Sequence, residues 1–460
     1  METFDVVVIG AGPGGYPAAI RAAQLGASVA IVERELLGGT CLNFGCIPTK
    51  SLIAGAELYH HVKHAAATGV TANGCTVDYA AMVTHKDRVV AQLRGGVSQL
   101  LAAHGVKVLT GTASFVDRNT VEVDGARIGA KKTIIATGSA STVPEFVPNH
   151  PRVVESRAFL GLKSLPKTMT VLGGGYIGCE LACMAAMLGV KVTIAELLDD
   201  ILLLLDADVR REVRSCMEKE LGIRILTGKP MEDVCADDNG VRGRVGEEVI
   251  ESELLLVAVG RRPVTEGLRL ENAGVKTDAK GFVPVDEYGR TNVACIYAVG
   301  DVNGRTQLAH NATSQGVIAA ENACGKRARR FETLVPGVIF TRPEVALVGL
   351  TEEEAKKQNR AVVTGKFRFS GLGRAVSAGE TTGFVKWIAD AATDQLLGAA
   401  AVGRHATELI AEATLAIRSE LTADELGRTI HAHPTFSEAW MEAAHAVHGS
   451  CIHAPPKRRK

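Results

Sequence analysis

The hydrophobic pattern of the N-terminal residues predicts a strand, a glycine-rich turn, a helix and a second strand. Residues 6–9 are a short β-branched run, residues 10–15 hold the turn, and residues 17–25 have the composition of a good helix. The apolar residues 28–32 then predict a strand that ends at Glu33. A strand that enters a helix through a glycine turn and returns to a strand is a βαβ unit.

The same pattern occurs a second time. Residues 169–172 lead into a glycine turn at 173–178, a helix reaches Leu188, and residues 190–194 predict a strand that ends near Glu196. The interval from the first turn glycine to the acid is 23 residues in both units. Two matched βαβ units predict two nucleotide-binding domains in one α/β chain.

Three further features predict the domain boundaries. Apolar strands close at residues 134–138 and 257–263, and another buried strand at 296–301 ends in an acid. After Pro336 alternating strands such as residues 383–388 are followed by helices, which predicts an α+β domain with no glycine turn of its own. The predicted segments are a first nucleotide-binding domain at 1–145, a second at 146–268, a segment returning to the first at 269–336, and a C-terminal domain at 337–460.

Length and charge then restrict the class of protein. The 460 residues are too many for one ordinary core, which favours about three domains. Lys+Arg and Asp+Glu both number 51, so nothing in the net charge predicts a nucleic acid or an anionic membrane as partner. No apolar run approaches the roughly 18 residues of a membrane helix. The N-terminus does not resemble a secretory signal, and most of the ten cysteines are scattered singly, so the cytoplasm is expected.

Each glycine of the two turns has an expected role. The first permits the tight turn, the second lets the backbone approach a pyrophosphate, and the third lets the helix pack close to the sheet. The helix N-terminus would then hold phosphate with its exposed N–H groups. Two chance glycine turns are the alternative, which the surrounding strand–helix–strand context disfavours. The predicted cofactor-binding glycines are Gly10, Gly12 and Gly15 in the first unit and Gly173, Gly175 and Gly178 in the second.

The acids that follow the turns predict the type of cofactor. Glu33 and Glu196 are expected to accept hydrogen bonds from ribose hydroxyls. A carboxylate would repel a 2′-phosphate, and residues 194–198 offer no arginine to bind one. The second site is therefore predicted to take NAD rather than NADP.

Cys41 and Cys46 stand apart from the other cysteines because glycines surround them. On a regular helix, residues five apart lie about 140° apart around the axis with about 7.5 Å of rise. A disulfide needs Cα atoms within roughly 7 Å, so a bridge would need a distorted turn, which Gly45 can supply. A metal site is the alternative, although no second pair of ligands lies nearby, and two unrelated buried cysteines are another.

Lys50 lies four residues after Cys46, on the same face if the helix has begun by then. An ammonium group there would favour a thiolate and would stabilise negative charge nearby. An exposed helical lysine without any such role is the alternative.

Taken together, these motifs identify a family. The chain resembles the pyridine nucleotide–disulfide oxidoreductases, in particular those that oxidise dihydrolipoamide. The resemblance covers almost the whole chain. It rests on the segments Gly-Gly-Thr-Cys-Leu-Asn-Phe-Gly-Cys-Ile-Pro-Thr-Lys at 38–50, Ala-Thr-Gly at 136–138, Tyr-Ala-Val-Gly-Asp at 297–301 and His-Ala-His-Pro-Thr-Phe-Ser-Glu at 431–438, with both dinucleotide turns.

The resemblance implies two Rossmann-like domains, which bind FAD at the first turn and NAD at the second, and a C-terminal α+β dimerisation domain. Cys46 would be the thiolate beside the flavin and Cys41 the thiol that exchanges with substrate, without any metal. Asp301 would bind the ribityl region of FAD. The other implied cofactor contacts are Thr40, Lys50, Ala113, Thr137, Gly138, Gly260, Ala309 and His310.

The resemblance also implies a catalytic base in the C-terminal domain. His433, which precedes a proline, would take a proton from a thiol, and Glu438 would orient it. In the family this base reaches the disulfide of the other subunit, so a homodimer is implied. Without the resemblance, His433 would equally be a structural histidine, and His431 is expected to play a supporting part.

The implied substrate is dihydrolipoamide on the lipoyl domain of an acyltransferase or on the carrier protein of the glycine cleavage system. Thr49 stands where serine is commoner, and Asn311 where lysine is common, which loosens this assignment slightly. Two alternatives stay open: a related reductase for another disulfide or thiol, and a component whose main role is docking onto an acyltransferase core.

Residues 448–460, which include Cys451 and His453, are predicted to be a disordered, solvated tail.

Overall fold

The N-terminal part of the chain forms a mixed sheet of seven strands with helices packed against it. The computed structural model describes residues 1–325 and 328–455. The first elements are the strands β1 (Thr3–Ile9), β2 (Val29–Glu33), β3 (Lys107–Thr110), β4 (Ala113–Asp117), β5 (Thr120–Val123), β6 (Ala126–Ile135) and β7 (Ser139–Ser141) and the helices α1 (Gly15–Gln24), α2 (Gly39–Phe44), α3 (Cys46–His64) and α4 (Tyr79–Ala103). Strands β3, β2, β1 and β6 run parallel in that order, and β5 and β4 continue the sheet in antiparallel fashion.

A second sheet of five parallel strands follows. Its order is β11-β10-β9-β15-β8, and a three-stranded antiparallel sheet of β12, β13 and β14 lies beside it in the sequence. The elements of this part are β8 (Val153–Glu155), β9 (Thr168–Leu172), β10 (Lys191–Glu196), β11 (Arg224–Thr227), β12 (Met231–Ala236), β13 (Val241–Val245), β14 (Glu248–Ser252), β15 (Leu254–Val257), β16 (Arg261–Pro263), α5 (Ser156–Leu160), α6 (Tyr176–Met187) and α7 (Ala207–Lys219).

The chain then returns to the first sheet. Strand β17 (Ile296–Ala298) pairs with β6 and completes its seven strands. Helix α8 (Ala309–Ala323) packs on α1, because Gly316 leaves room for the backbone of Gly14: a Cβ on Gly316 would lie 2.1 Å from its carbonyl oxygen.

The C-terminal domain is an antiparallel sheet of five strands in the order β18-β19-β22-β21-β20. Its elements are β18 (Gly337–Ile339), β19 (Val345–Gly349), β20 (Val362–Arg368), β21 (Gly383–Asp390), β22 (Leu396–Gly403), α9 (Glu352–Lys357), α10 (Gly373–Ala378), α11 (Ala406–Arg418), α12 (Ala423–Arg428) and α13 (Glu438–Val447). Trp387 and Trp440 pack together in its core, with ring centroids 4.6 Å apart.

The two predicted βαβ units are confirmed. Units β1-α1-β2 and β9-α6-β10 each place their two strands side by side and parallel. Predicted and observed ends differ by no more than about three residues, because β-branched runs and glycine stops act locally. Strand β21 differs from its predicted alternation: residues 383–389 are all buried, since the strand lies inside the sheet and both of its faces are covered.

Lys386 is the most unusual residue of β21, because it is charged and 0% exposed. Its ammonium nitrogen lies 2.7 Å from Asp206, 2.9 Å from Asp208 and 2.9 Å from Glu352. Burial alone would lower the pKa of Lys386, but the three hydrogen bonds raise it above its ordinary value. The three carboxylates are close enough together to hold a metal ion, and the lysine supplies their positive charge instead. This cluster joins the start of α7 in the second domain to the C-terminal domain.

Replacing Lys386 with methionine is expected to lower the free energy of unfolding by about 3–5 kcal/mol, because three carboxylates would lose their shared cation in a buried place. Chemical denaturation followed by tryptophan fluorescence measures this, since both tryptophans of the chain lie in this domain. The matched control is Lys366→Met. Lys366 also contacts Asp208 but keeps 35% of its side chain exposed, so a loss of no more than about 1 kcal/mol is expected. Equal losses for the two variants would contradict the expectation.

The C-terminal tail was predicted to be disordered and solvated, but its described part, residues 448–455, contacts helix α13. The Cys451 thiol donates to Glu442 at 2.9 Å, and a ring nitrogen of His453 lies 2.6 Å from the same carboxylate. Glu442 is buried on α13, so the tail packs back onto that helix to satisfy its charge. The basic residues 457–460 lie outside the described residues. Within the described residues, no helix combines the length and the apolar character needed to cross a membrane.

Candidate functional site

The first glycine turn fits the roles predicted for its residues. Gly10 has φ +98°, and a Cβ there would lie 2.5 Å from the carbonyl oxygen of Ala136. A Cβ on Gly15 would lie 1.8 Å from the carbonyl oxygen of Gly10, so only glycine lets α1 begin this close to β1. The nearest atom to a Cβ on Gly12 would be 3.8 Å away, which leaves its backbone accessible to a ligand.

The second turn repeats this geometry. Gly173 has φ +108° and lies against the carbonyl oxygen of Ala258. Gly178 lies against Gly173 itself, since a Cβ on Gly178 would be 2.1 Å from the Gly173 carbonyl oxygen. A Cβ on Gly175 would meet no atom within 4 Å. The open space at this second glycine, in front of a helix N-terminus, fits the pyrophosphate of a dinucleotide.

The two acids make the same contact in both units. One oxygen of Glu33 accepts the N–H of Ala11 at 2.8 Å, and one oxygen of Glu196 accepts the N–H of Gly174 at 2.5 Å. Each carboxylate therefore lies at the tip of its turn, and its contact with a ribose remains a prediction. The contact also ties the end of the second strand to the turn after the first.

Most of the other residues predicted to contact FAD surround the first turn. Thr137 and Gly138 follow Ala136, which packs on Gly10, and Thr40 follows Gly39, whose backbone touches Gly12. Ala309 begins α8, which reaches the turn through a hydrogen bond from Thr313 to the Pro13 carbonyl at 2.9 Å. Their cofactor contacts remain predictions.

The remaining predicted cofactor contacts lie further from the first glycine turn. Ala113 is buried at the start of β4, close to Gly111, whose N–H donates to the Glu33 carbonyl. Gly260 has φ +136° and lies two residues after Ala258, beside the second turn. His310 is exposed, and its ring nitrogen lies 2.7 Å from the carbonyl oxygen of Pro336.

The cysteine pair lies where two helices meet. Helix α2 ends at Phe44, Gly45 has φ −140° and ψ −103°, and α3 begins at Cys46. This break is the distorted turn that the spacing predicted. Cys41 lies within α2 and contacts Cys46 across the break, and both are free thiols in this structure.

The two thiols are chemically different. The hydrogen bond from Cys41 and the charge of Lys50 lower the pKa of Cys46 to about 7, although burial opposes this. The same hydrogen bond and burial raise the pKa of Cys41 above its ordinary value. Cys46 is also the first residue of a 19-residue helix, whose N-terminus favours negative charge. The pair is therefore arranged to hold one thiolate, at Cys46.

Lys50 is not a free surface lysine. Its ammonium nitrogen lies 2.7 Å from an oxygen of Glu180 and 4.6 Å from the ring centroid of Phe340. The other oxygen of Glu180 accepts the backbone N–H of Phe340 at 2.9 Å. The lysine beside the thiols is therefore held by helix α6 of the second domain and by the C-terminal domain.

Glu180 is a residue that sequence reasoning missed. It is buried, and the other eleven residues of α6 carry no charge. A single acid in an otherwise uncharged helix was the available signal, because a buried carboxylate needs a partner. The sequence did not show that the partner would be 130 residues away.

Replacing Lys50 with methionine is expected to raise the pKa of Cys46 from about 7 toward the ordinary thiol value near 8.5, because a nearby positive charge is lost. Less thiolate would then be present at neutral pH. The pH dependence of alkylation at Cys46 in the reduced protein, followed by mass spectrometry, measures this. Lys63→Met is the matched control, since Lys63 is an exposed lysine of the same helix. An unchanged profile in Lys50→Met would count against the electrostatic role.

The predicted base and its acid are paired as expected. A hydrogen bond of 2.8 Å joins Nδ1 of His433 to Glu438, whose other oxygen accepts the N–H of Thr435 at 2.7 Å. The side chain of His433 is 78% exposed, and Nε2 is left for another partner. His431 contacts Glu412 at 2.6 Å, which raises the pKa of that histidine.

One part of the predicted site is not brought together within the chain. None of the hydrogen bonds or ion pairs among residues 1–325 and 328–455 joins His433 to either cysteine. The cysteine pair lies at the first sheet and the base on the C-terminal domain.

Two family models match the chain. The model described as "Pyridine nucleotide-disulphide oxidoreductase" matches residues 4–316, and the one described as its "dimerisation domain" matches residues 335–444. The two matches cover the nucleotide-binding sheets and the C-terminal sheet respectively.

Similar proteins are found along the whole chain. A dihydrolipoyl dehydrogenase of Chlamydia pneumoniae is 45% identical over 99% of both chains, and one of Thermus scotoductus is 46% identical over 98% of this chain and 99% of its own. Among solved structures, LpdA from Mycobacterium tuberculosis has a TM-score of 0.90 at 27% identity, covering 96% of this chain and 99% of that one. The HOCl-induced flavoprotein disulfide reductase RclA from Escherichia coli has a TM-score of 0.87 at 30% identity, covering 95% and 99%. The chain belongs to the pyridine nucleotide–disulfide oxidoreductase family.

Proposed function

We propose that this protein oxidises protein-bound dihydrolipoamide to lipoamide with NAD⁺, through FAD and the Cys41–Cys46 pair. As a member of its family it is an FAD-dependent oxidoreductase that acts on a sulfur group and uses NAD. The observation that carries the proposal is the cysteine pair itself. Its two thiols have opposite pKa shifts, and Lys50 and Glu180 are fixed beside them. The high identity to dihydrolipoyl dehydrogenases supports lipoamide as the substrate.

His433 is proposed to start the reaction. Its Nδ1–H donates to Glu438, so the lone pair of Nε2 is available to take a proton from one thiol of the substrate. The resulting thiolate attacks the sulfur of Cys41 in the oxidised pair. The Cys41–Cys46 bond breaks, a bond from substrate to Cys41 forms, and Cys46 leaves as a thiolate.

The second substrate thiol completes the exchange. It attacks the substrate sulfur that is bonded to Cys41, so the cyclic disulfide of lipoamide forms and Cys41 leaves and takes up a proton. The chain now holds two more electrons than before, as a thiol at Cys41 and a thiolate at Cys46. The positive charge of Lys50 and the helix N-terminus stabilise that thiolate. When bound, FAD supplies the two-electron chemistry that connects this thiolate to NAD⁺.

The dimerisation domain supports a homodimer. We propose that His433 acts on the cysteine pair of the partner subunit, since its side chain is exposed and no hydrogen bond or ion pair among the described residues joins it to the cysteines of its own chain. We further propose a lipoyl domain of an acyltransferase, or the glycine cleavage carrier protein, as the macromolecular partner, and the cytoplasm as the location. The domain boundaries at residues 145, 268 and 336 are proposed on the sequence pattern.

Steady-state turnover of the purified yellow protein tests the proposal, with dihydrolipoamide as substrate, NAD⁺ and NADP⁺ compared, and glutathione as the control thiol. Turnover is expected with NAD⁺ and not with NADP⁺, because Glu196 disfavours a 2′-phosphate. Dihydrolipoamide is expected to be oxidised and glutathione is not. If lipoamide is inert while NADH still reduces the flavin, the protein is a related reductase for another disulfide. If both reactions fail while an acyltransferase still binds, a docking role replaces catalysis.

A further inference from the structure

The chain crosses between its first and second domains twice, and the two crossings run side by side. Strand β7 leaves the first domain and β16 returns from the second, and they pair antiparallel with Pro263 opposite Ser139 and Arg261 opposite Ser141. This two-stranded sheet lies directly after Gly138 on one strand and Gly260 on the other. The junction is therefore a defined structure rather than a pair of loose linkers.

Arg261 ties this junction together with its side chain. Its Nε donates to the hydroxyl of Ser139 at 2.7 Å, and one terminal nitrogen donates to the Ser139 carbonyl at 2.7 Å. Both residues are largely shielded from water, since Ser139 is buried and the Arg261 side chain is only 17% exposed. Water therefore competes little with these bonds.

The same serine holds Asp301. The hydroxyl of Ser139 donates to Oδ2 of Asp301, and Nε of Arg261 lies 3.8 Å from the same oxygen. The chain Arg261–Ser139–Asp301 therefore passes from the junction to the acid that follows β17. No hydrogen bond among the described residues uses Oδ1 of Asp301, so that oxygen remains for a ligand.

We propose that Arg261 and Ser139 are positioning residues for FAD. They hold the Asp301 carboxylate so that its Oδ1 is available to the ribityl chain of FAD. The proposal rests on the assignment of Asp301 to FAD made above. Arg261 donates a hydrogen bond to the Ser139 hydroxyl, and that hydroxyl donates its single O–H to Oδ2 of Asp301, so the carboxylate has one favoured orientation. Without these two residues the Asp301 side chain would become ordered only when FAD binds. The entropy lost in that ordering would weaken FAD binding. The attachment of the second domain thereby sets how firmly FAD is held in the first.

The release of FAD from the purified holoenzyme tests this, measured by the rise of flavin fluorescence after dilution at a temperature below the unfolding transition. Arg261→Met and Ser139→Ala are each expected to speed release about tenfold, whereas Arg261→Lys should have a smaller effect. Arg262→Met is the matched control, because Arg262 is the exposed neighbour on the same strand, and it should leave release unchanged. If Arg261→Met does not fold, Ser139→Ala and Arg261→Lys carry the test.

A double-mutant cycle separates positioning from a general loss of structure. Asp301→Asn alone should speed release at least as much as Arg261→Met, and the double variant should release FAD no faster than Asp301→Asn alone. Effects that multiply in the double variant would overturn the proposal, because Arg261 would then act independently of Asp301. Unchanged release in Asp301→Asn would instead refute the assignment of Asp301 to FAD, and the positioning role with it, while leaving the lipoamide reaction to its own assay.

Discussion

Replacing Cys46 with serine is expected to lower dihydrolipoamide turnover by at least about four orders of magnitude. A serine cannot form the redox disulfide, and its hydroxyl does not ionise near neutral pH as the Cys46 thiol does at its pKa of about 7. The flavin should remain bound and reducible by NADH, because the glycine turns that are proposed to hold the cofactors are untouched. Steady-state turnover and anaerobic reduction of the flavin measure the two halves of the reaction separately.

The control for this variant is Cys75→Ser, since Cys75 is exposed and lies outside the site. Its turnover is expected to match that of the unaltered protein. Lipoamide turnover in Cys46→Ser within a few-fold of the control would rule out the proposed disulfide chemistry. Loss of the flavin from Cys46→Ser would show instead that the cysteine supports the fold.

Replacing His433 with alanine is expected to lower turnover by about 10²–10⁴-fold at neutral pH, because the substrate thiol loses its base. The remaining rate should rise steeply toward alkaline pH, since free thiols ionise by themselves near pH 8.5 and above. Glu438→Gln should have a smaller effect, because the amide oxygen can still accept the Nδ1–H of His433. A full pH–rate profile of each variant provides the measurement.

His448→Ala is the matched control for this series. His448 is also a partly exposed histidine paired with a carboxylate, 2.7 Å from Asp394. Its pH–rate profile is expected to be unchanged. If His433→Ala keeps near-normal activity with an unchanged profile, His433 is only a structural histidine and the base lies elsewhere. A mixed dimer tests the contribution across subunits: pairing a Cys46→Ser chain with a His433→Ala chain should restore about one working site of two.

The site residues differ in how well they could be predicted. Cys41, Cys46 and Gly45 were recognisable because the break between α2 and α3 is a local event, caused by one glycine between two cysteines. Glu180 was not, although it is the group that fixes Lys50. Nothing near residue 50 in the sequence specifies a partner on α6, since that contact depends on how the two sheets pack against each other.

For charged residues within the fold, the local element could likewise be predicted from the sequence, whereas the partner of the charge could not. The apolar neighbours of Lys386 predicted a strand, and β21 is one. They did not show that the lysine would be buried, because this depends on the place of the strand inside its sheet and on Asp206 and Asp208 at the start of α7, which supply two of the three carboxylates. Likewise Ser139 and Arg261 lie 122 residues apart and meet only because β7 and β16 pair at the junction.

The sequence by itself determined the two βαβ units, the cysteine pair with its helix break, and the His433–Glu438 pair. Each of these depends on residues close together in the chain, where β-branched runs, glycine turns and helix starts act through local sterics and hydrogen bonds. Only the tertiary structure decided the partners of Lys50, Lys386 and Asp301. Buried charges must find partners wherever packing places them, and packing joins Lys50 to Glu180, and Lys386 to Asp206, across more than a hundred positions of the sequence.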